Sequence, residues 1–466
     1  MLLKNWGMTL IKSISGIRGT IGGKPGESLS PIDIVKFSSA YGTWLKMRKK
    51  KSLKVVIGRD ARKSGPMVSQ LVIMTLRSMG INVIDLGLAS TPTVEMAVIG
   101  TKSSGGIIIT ASHNPAEWNA LKLLNEKGEF LSAADGEKIL RLAESEKFDF
   151  PKTAKHGTLR HDSSWNRKHI EKILALELVD VKAIKKAGFK VALDCINSVG
   201  GVVVPELLKS LGVKKVIGLN MMPDGKFAHN PEPLPQNLKA VSRLVTREKA
   251  SLGFVVDPDV DRLAIICENG SMFGEEYTLV AVADYILEHK PGSAVSNMSS
   301  TMALNDVANM HGCRYYSSAV GEVNVVQEMK KRKAVIGGEG NGGVIYPELH
   351  YGRDALAGIA LFLTHLAKSG LRCSQLRKKY PDYAIVKTRI SLDPAMNYEK
   401  LLSEIRKKYM KFGIDERDGM KITFPEGWVQ IRKSNTEPII RIYSEGKTLQ
   451  EADNLASGIA KIVKKQ

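Results

Sequence analysis

Short apolar runs alternate with longer amphipathic stretches through most of the chain, the pattern of buried strands separated by helices. Residues 54–58, 81–86 and 106–109 read as strands, and residues 66–79, ended by Gly80, as a helix between the first two. Ser30-Pro31-Ile32-Asp33 opens another helix, with a cap, a proline at the first position and an early acidic residue. Residues 190–195 begin a second strand-rich unit with a helix near 204–211; 252–256, 263–267 and 428–431 read as further strands. The alternation predicts mixed, mostly parallel sheets covered by helices, an α/β chain. The polar stretch 148–160 reads as a linker.

Length changes this picture first: 466 residues suffice for three or four domains. No apolar run approaches the ~20 residues of a membrane helix. The N-terminus lacks the apolar core and cleavage site of a secretory signal, and Met8 is an alternative start. Cys195, Cys267, Cys313 and Cys373 are widely spaced, which argues against a disulfide framework or a zinc site. A cytoplasmic protein without a membrane partner is expected. The net charge of +20 is dispersed apart from Arg48-Lys49-Lys50-Lys51 and the C-terminal tail. The first cluster falls between a helix and a strand, as a solvated turn, and no interleaved aromatics suggest nucleic acid. An anionic ligand uses part of this charge.

Five polar stretches carry candidate chemistry. Strand 106–109 runs into Thr110-Ala111-Ser112-His113-Asn114-Pro115, so Ser112 emerges where ligands of open α/β sheets bind. A serine becomes a nucleophile or phosphate carrier only beside a proton-handling group and positive charge. His113 is adjacent and proline stiffens the loop, although such a loop taken alone is more often a turn than an active site. Arg18, in a strand running into a flexible glycine turn, suits a phosphate through its forked donors; Lys122, ten residues past Ser112, reads by itself as a surface lysine.

Asp257-Pro258-Asp259-Val260-Asp261-Arg262 follows strand 252–256. Three carboxylates at alternate positions of an extended segment share one side and repel unless a cation joins them; hard oxygen ligands point to magnesium. Glu268 fits the last position of a calcium-binding EF-hand loop, but Arg262 stands where that loop needs glycine and 263–267 is an apolar strand. Gly338-Glu339-Gly340-Asn341-Gly342-Gly343 matches a dinucleotide fingerprint, yet an extended segment at 344–347 follows where a helix is required. It therefore reads as a turn presenting Glu339 and Asn341. Arg432-Lys433-Ser434-Asn435-Thr436-Glu437-Pro438 offers an anion cradle of arginine, hydroxyl and amide donors.

These loops occur in the order found in α-D-phosphohexomutases, and the chain resembles that family over nearly its whole length. The resemblance implies four domains around a central cleft: three related α/β domains with mixed sheets over 1–155, 156–264 and 265–382, and a smaller α+β domain over 383–466. It implies transfer of a phosphoryl group between C6 and C1 of a hexose phosphate through phosphorylated Ser112, with a hexose 1,6-bisphosphate as intermediate and activator. Ser112, His113, Lys122 and Arg18 would be catalytic, Lys122 handling the hydroxyl proton with a pKa lowered among cations. Asp257, Asp259 and Asp261 with the oxygen on Ser112 would hold Mg2+. Glu339 and Asn341 would contact the sugar, Arg262 would bind substrate by orienting and stabilising it, and Arg432, Ser434, Asn435 and Thr436 would hold the distant phosphate.

Many family members carry serine at the position of Asn341 and histidine at that of Gly343. The Glu-x-Asn-Gly arrangement is similar to that of mutases acting on N-acetylated amino sugars. Glucosamine 6-phosphate to glucosamine 1-phosphate is the expected reaction, with glucose or mannose phosphates as the alternative. Two other classes compete: a phosphoserine-dependent phosphatase, which would release inorganic phosphate, and a basic nucleic-acid-binding protein. The expected partner is a small sugar phosphate, not nucleic acid, and the chain is expected to be a monomer or homodimer.

Overall fold

The computed structural model describes residues 8–13, 16–48, 53–392, 396–433 and 439–464. It divides into two compact units, one of residues 1–278 and 341–377, the other of 279–340 and 378–466.

The first unit is built on strand Gly105–Ile109, buried along its whole length. Lys54–Arg59 pairs with it in parallel and Trp118–Leu124 antiparallel. Because side chains alternate along a strand, Ile107 and Ile109 enter the core cluster that holds Ile34, Val68 and Ile139, while Ile108 enters the one that holds Val94, Ala97 and Val98. Both faces are covered, which is why the strand reads as an unbroken apolar run. Asn82–Leu88 and Leu159–His161 extend the sheet on one side, and Gly16–Thr20 and Ile11–Ser13 on the other, giving seven strands.

Three expectations change here. Arg18 lies within strand Gly16–Thr20, opposite Ala120, rather than in a flexible turn. The stretch read as a linker ends in strand Leu159–His161, parallel to Asn82–Leu88. The helix near 204–211 starts earlier, as Gly200–Ser210, and tolerates Pro205. The helix start at Ser30 is as expected: its side chain accepts the Asp33 N–H, and a reciprocal bond completes a capping box.

A second sheet in this unit orders Leu263–Cys267, Leu252–Val256, Lys190–Asp194 and Lys215–Leu219. Leu252–Val256 and Leu263–Cys267 pair antiparallel with Val256 opposite Leu263, so Asp257 to Arg262 form the hairpin loop. The three aspartates converge by turning, not by alternating along an extended segment. Val260 adopts φ +61°, a region β-branched residues rarely occupy, and Asp257 Oδ1 accepts the N–H groups of Asp261 and Arg262, each at 3.1 Å.

In the second unit, Tyr315–Ser318 and Ile336–Glu339 flank Ala294–Asn297 in parallel. A five-stranded antiparallel sheet follows, ordered Ala384–Ser391, Ile439–Gly446, Gly427–Lys433, Met420–Phe424 and Gly413–Asp415. Helices Tyr398–Tyr409 and Leu449–Val463 bury Leu401, Ile405, Ile459 and Val463 in the same core as its Ile422, Val429 and Ile442. Among the described residues no helix is long and apolar enough to cross a membrane.

Candidate active site

The loop that leaves Gly105–Ile109 is fixed from below by one buried cation. Arg62 is fully buried and uses every N–H it has. Its Nε donates to Asp60 at 3.1 Å, one terminal nitrogen donates to the carbonyls of Trp118, at 2.9 Å, and Pro115, and the other to those of Ser112 at 2.6 Å and Asn114 at 2.7 Å. Asp60 also accepts from the Thr110 hydroxyl at 2.7 Å, whose oxygen in turn accepts the Ser112 N–H at 2.9 Å. These contacts over-determine an unfavourable backbone: Ser112 sits at φ +48°. The Phe227 ring covers the guanidinium at 4.9 Å.

Arg62 had no distinctive signal in the sequence, where Gly58-Arg59-Asp60-Ala61-Arg62 reads as an ordinary strand exit. Arg62→Lys keeps the charge but supplies three donors for five acceptor contacts, leaving buried carbonyls unpaired at about 1–3 kcal/mol each. A folded protein whose kcat falls about a hundredfold is expected from mispositioning of the Ser112 loop. Steady-state kinetics beside a melting curve check this, and wild-type kcat would contradict it.

Above the loop, Ser112 Oγ donates to Asp257 Oδ2 at 2.9 Å. Asp257, Asp259 and Asp261 are fully buried, with one ligand oxygen from each lying within 4.8 Å of the others. Lys122 Nζ lies 2.7 Å from Asp259 and 3.7 Å from Asp261. The Thr91 hydroxyl donates to Asp259 at 2.6 Å, and Arg353 to Asp261 at 2.7 Å. Ser198 anchors the loop backbone by donating to the Pro258 carbonyl at 2.7 Å.

Three like charges so close are tolerated unevenly. Burial, then the Asp261 and Asp259 carboxylates, hold the Asp257 carboxyl well above the usual carboxylate range. Burial pushes Asp259 the same way, but Lys122 and Thr91 outweigh it and hold Asp259 below that range. The effect on Lys122 corrects the expectation of a lowered pKa: burial and, less strongly, Arg353 lower it, yet the Asp259 and Asp261 carboxylates prevail and raise it. His113 is pushed well below its usual value by Arg262, burial, Arg18 and Arg353, so its ring is neutral at physiological pH. Burial and Arg262 lower Arg18. Ser112, His113, Lys122, Arg18, Arg262 and the three aspartates are thus one electrostatic site within the first unit.

The set fits a hard divalent cation. Asp259 Oδ1 and Asp261 Oδ1 are buried oxygens without a hydrogen-bond partner among the described residues, beside the Ser112 hydroxyl.

Asn341 also belongs to this unit, where its Oδ1 accepts from Gly343 N at 3.3 Å and Arg353 at 3.4 Å. A Cβ on Gly343 would fall 2.3 Å from the Arg353 side chain, so Arg353 occupies the room a side chain there would need. Arg353 is therefore a second contact that the sequence hid. Glu339 lies in the other unit, accepting from Asn297 at 2.9 Å and Gly321 N at 3.2 Å. Arg432 is there too, at the end of Gly427–Lys433, 3.9 Å from Asp418 and with its Nε lacking a hydrogen-bond partner among the described residues. Ser434, Asn435 and Thr436 lie outside the described residues.

Behind the site is a buried cluster that sequence reasoning missed. His350 lies between Asp354 and Glu95, each at 3.2 Å. Burial opposes its charge, but those two carboxylates raise it to about 10. Its folded value exceeds the unfolded value of about 6.5, so its stabilisation is complete below that pH and lost as pH rises through about 10. His350→Gln is expected to lower Tm most near pH ~6, with a deficit shrinking toward pH ~10. Melting curves across that range check this, and a constant deficit would contradict it.

Models of the phosphoglucomutase/phosphomannomutase family match the chain in four successive parts: α/β/α domain I at residues 10–150, domain II at 167–270, domain III at 274–383 and the C-terminal domain at 393–462. A Thermococcus kodakarensis protein named phosphoglucomutase/phosphomannomutase is 38% identical over 440 residues, 93% of this chain and 95% of that one. A probable phosphoglucosamine mutase of Methanopyrus kandleri is 32% identical over 454 residues, 97% of each. The crystal structure of a phosphoglucomutase/phosphomannomutase family protein from Burkholderia thailandensis matches with a TM-score of 0.84 at 22% identity, covering 99% of this chain and 98% of that one, a likeness of fold.

Proposed function

The chain belongs to the phosphoglucomutase/phosphomannomutase family of α-D-phosphohexomutases, which are isomerases, and on that premise we propose that Ser112 carries the phosphoryl group that passes between C6 and C1 of a hexose phosphate. The observation that supports this most is the Ser112 hydroxyl, 2.9 Å from an aspartate of a buried three-carboxylate set.

In this reading phosphorylated Ser112 meets the free hydroxyl of a bound hexose phosphate. A bond forms from phosphorus to the sugar oxygen, the bond to Ser112 Oγ breaks, and the proton that leaves the sugar hydroxyl balances the one Ser112 Oγ regains. The bisphosphate turns over and the reverse step at its other phosphate restores the phosphoserine. Lys122 is the group we assign to that proton: held as an ammonium by Asp259 and Asp261, it would give a proton to the leaving Ser112 Oγ and take up the one the sugar hydroxyl loses. Arg18, Arg262 and neutral His113 orient the phosphate, and the fixed charges need no rearrangement as the transition state forms. Asp257, Asp259, Asp261 and Ser112 Oγ would hold Mg2+, which supplies charge neutralisation for the carboxylates and the reacting phosphate. Arg432, Ser434, Asn435 and Thr436 would hold the distant phosphate, and Glu339 and Asn341 the sugar hydroxyls.

The preferred sugar phosphate in this reading is glucosamine 6-phosphate, supported by Glu339-Gly340-Asn341-Gly342 and by the name of the Methanopyrus kandleri relative. Glucose and mannose phosphates are the second reading, favoured by the higher identity to the Thermococcus kodakarensis relative. Turnover of glucosamine, N-acetylglucosamine, glucose and mannose phosphates compared side by side decides between them; release of inorganic phosphate without isomerised sugar would defeat both. Asn341→Ser is expected to change the ratio of rates among these sugars about tenfold while leaving the magnesium dependence in place. Equal slowing on every sugar would contradict the assignment.

A further inference from the structure

The network behind the aspartates has two outlets, and both end on them. Helix Thr91–Gly100 presents Thr91 to Asp259, through its hydroxyl at 2.6 Å and its N–H to the Asp259 carbonyl at 2.9 Å. Two residues on, the Thr93 hydroxyl lies 3.0 Å from His169 Nδ1. His169 Nε2 is 2.9 Å from Asp354 Oδ2, the oxygen that His350 Nε2 also approaches at 3.2 Å, and His350 Nδ1 faces Glu95 of the same helix at 3.2 Å. Asp354 Oδ1 caps the next helix by accepting the N–H groups of Leu356 and Ala357. Its neighbours complete the loop: Arg353 donates to Asp261, and Ala355 N donates to the Val260 carbonyl at 3.2 Å.

Glu95, His169, His350 and Asp354 are between 0% and 4% exposed. The elements that carry them reach the triad through Thr91 and Arg353. His169 bridges the Thr93 hydroxyl and Asp354, and His350 lies between Asp354 and Glu95, so these side chains are joined end to end within the interior. Buried and mutually paired, they hold one another in place.

We propose that Glu95, His350, Asp354 and His169 form a positioning cluster that fixes Thr91 and Arg353 on either side of the aspartate loop and so sets its affinity for a divalent cation. The inference rests on the assignment of the triad as a divalent-cation site. Outer-shell partners of metal ligands typically govern affinity by about 10–100-fold.

Mn2+ binding to the full-length protein, titrated by electron paramagnetic resonance, tests this directly. Wild type is compared with His350→Gln, His169→Gln and a core variant of matched Tm such as Leu211→Ala. His350→Gln is expected to bind Mn2+ about tenfold more weakly than the matched core variant. His169→Gln, whose amide can still reach Asp354, is expected to bind more tightly than His169→Ala. Should His350→Gln fold poorly, Glu95→Gln gives the same comparison. Equal Mn2+ affinity in His350→Gln and the core variant overturns the proposal while leaving the cation site intact. Stoichiometric transition metal in the purified wild type, lost in His169→Ala, also overturns it, because the cluster would then be a metal site itself. A wild type whose Mn2+ binding is absent, or survives Asp259→Asn, removes the premise and the proposal with it.

Discussion

Ser112→Ala is expected to lose covalent phosphate and turnover together, with kcat falling on the order of a millionfold, as when a covalent nucleophile is deleted. The neighbouring hydroxyl in the loop, on Thr110, is not available to take the group over. Thr110 already spends its hydroxyl on Asp60 and the Ser112 N–H. The fold survives, because the Arg62 contacts to this loop are made to backbone carbonyls, not to the Ser112 side chain. Ser112 lies at φ +48°, so Ser112→Gly is the matched control: it accepts that backbone freely and is expected to melt no lower than Ser112→Ala, yet to be equally inactive. Kinetics and intact-protein mass on the two variants check this. An active, phosphate-free variant would refute the role of Ser112.

Asp259→Asn is expected to cost at least about a hundredfold in kcat, the scale for losing one preorganised electrostatic contact in a dry site. Asp259 is where the site's charges meet: Lys122 at 2.7 Å, Thr91 at 2.6 Å and two neighbouring carboxylates. Its neutral amide leaves Lys122 facing only Asp261 at 3.7 Å and removes one oxygen ligand of the cation. The concentration of Mg2+ giving half-maximal activity should therefore rise steeply as well. An Asp259→Asn protein with wild-type Mg2+ dependence would remove the triad from the reaction.

The alternation of strands and helices was legible because each buried strand carries its own apolar run; Gly105–Ile109 needs no partner to be recognised. The Ser112 and aspartate loops were legible for a second reason, since polar residues crowded directly after such runs have no structural use in a core. What stayed hidden is held by long-range contacts. Arg62 acts on carbonyls fifty or more positions away, at Ser112, Asn114, Pro115 and Trp118, and backbone acceptors leave no trace in side-chain pattern. Arg353 reaches Asp261, and His350 reaches Glu95, only when residues 350–355 fold against the aspartate hairpin and helix Thr91–Gly100. The convergence of Asp257, Asp259 and Asp261 was foreseen but its geometry was not, because a β-branched Val260 at positive φ runs against local propensity. The direction of the Lys122 shift failed likewise: it depends on which charges surround the amine, and these come from a loop more than a hundred residues away.

The most direct test of the account is the mass of the Ser112 peptide before and after exposure to substrate. Protein incubated with a hexose 1,6-bisphosphate should carry one phosphoryl group on the peptide containing Ser112, and the group should leave into a sugar bisphosphate, without inorganic phosphate, when the hexose monophosphate is added. A peptide that stays unmodified through turnover, or a phosphoryl group found on another residue, would contradict it.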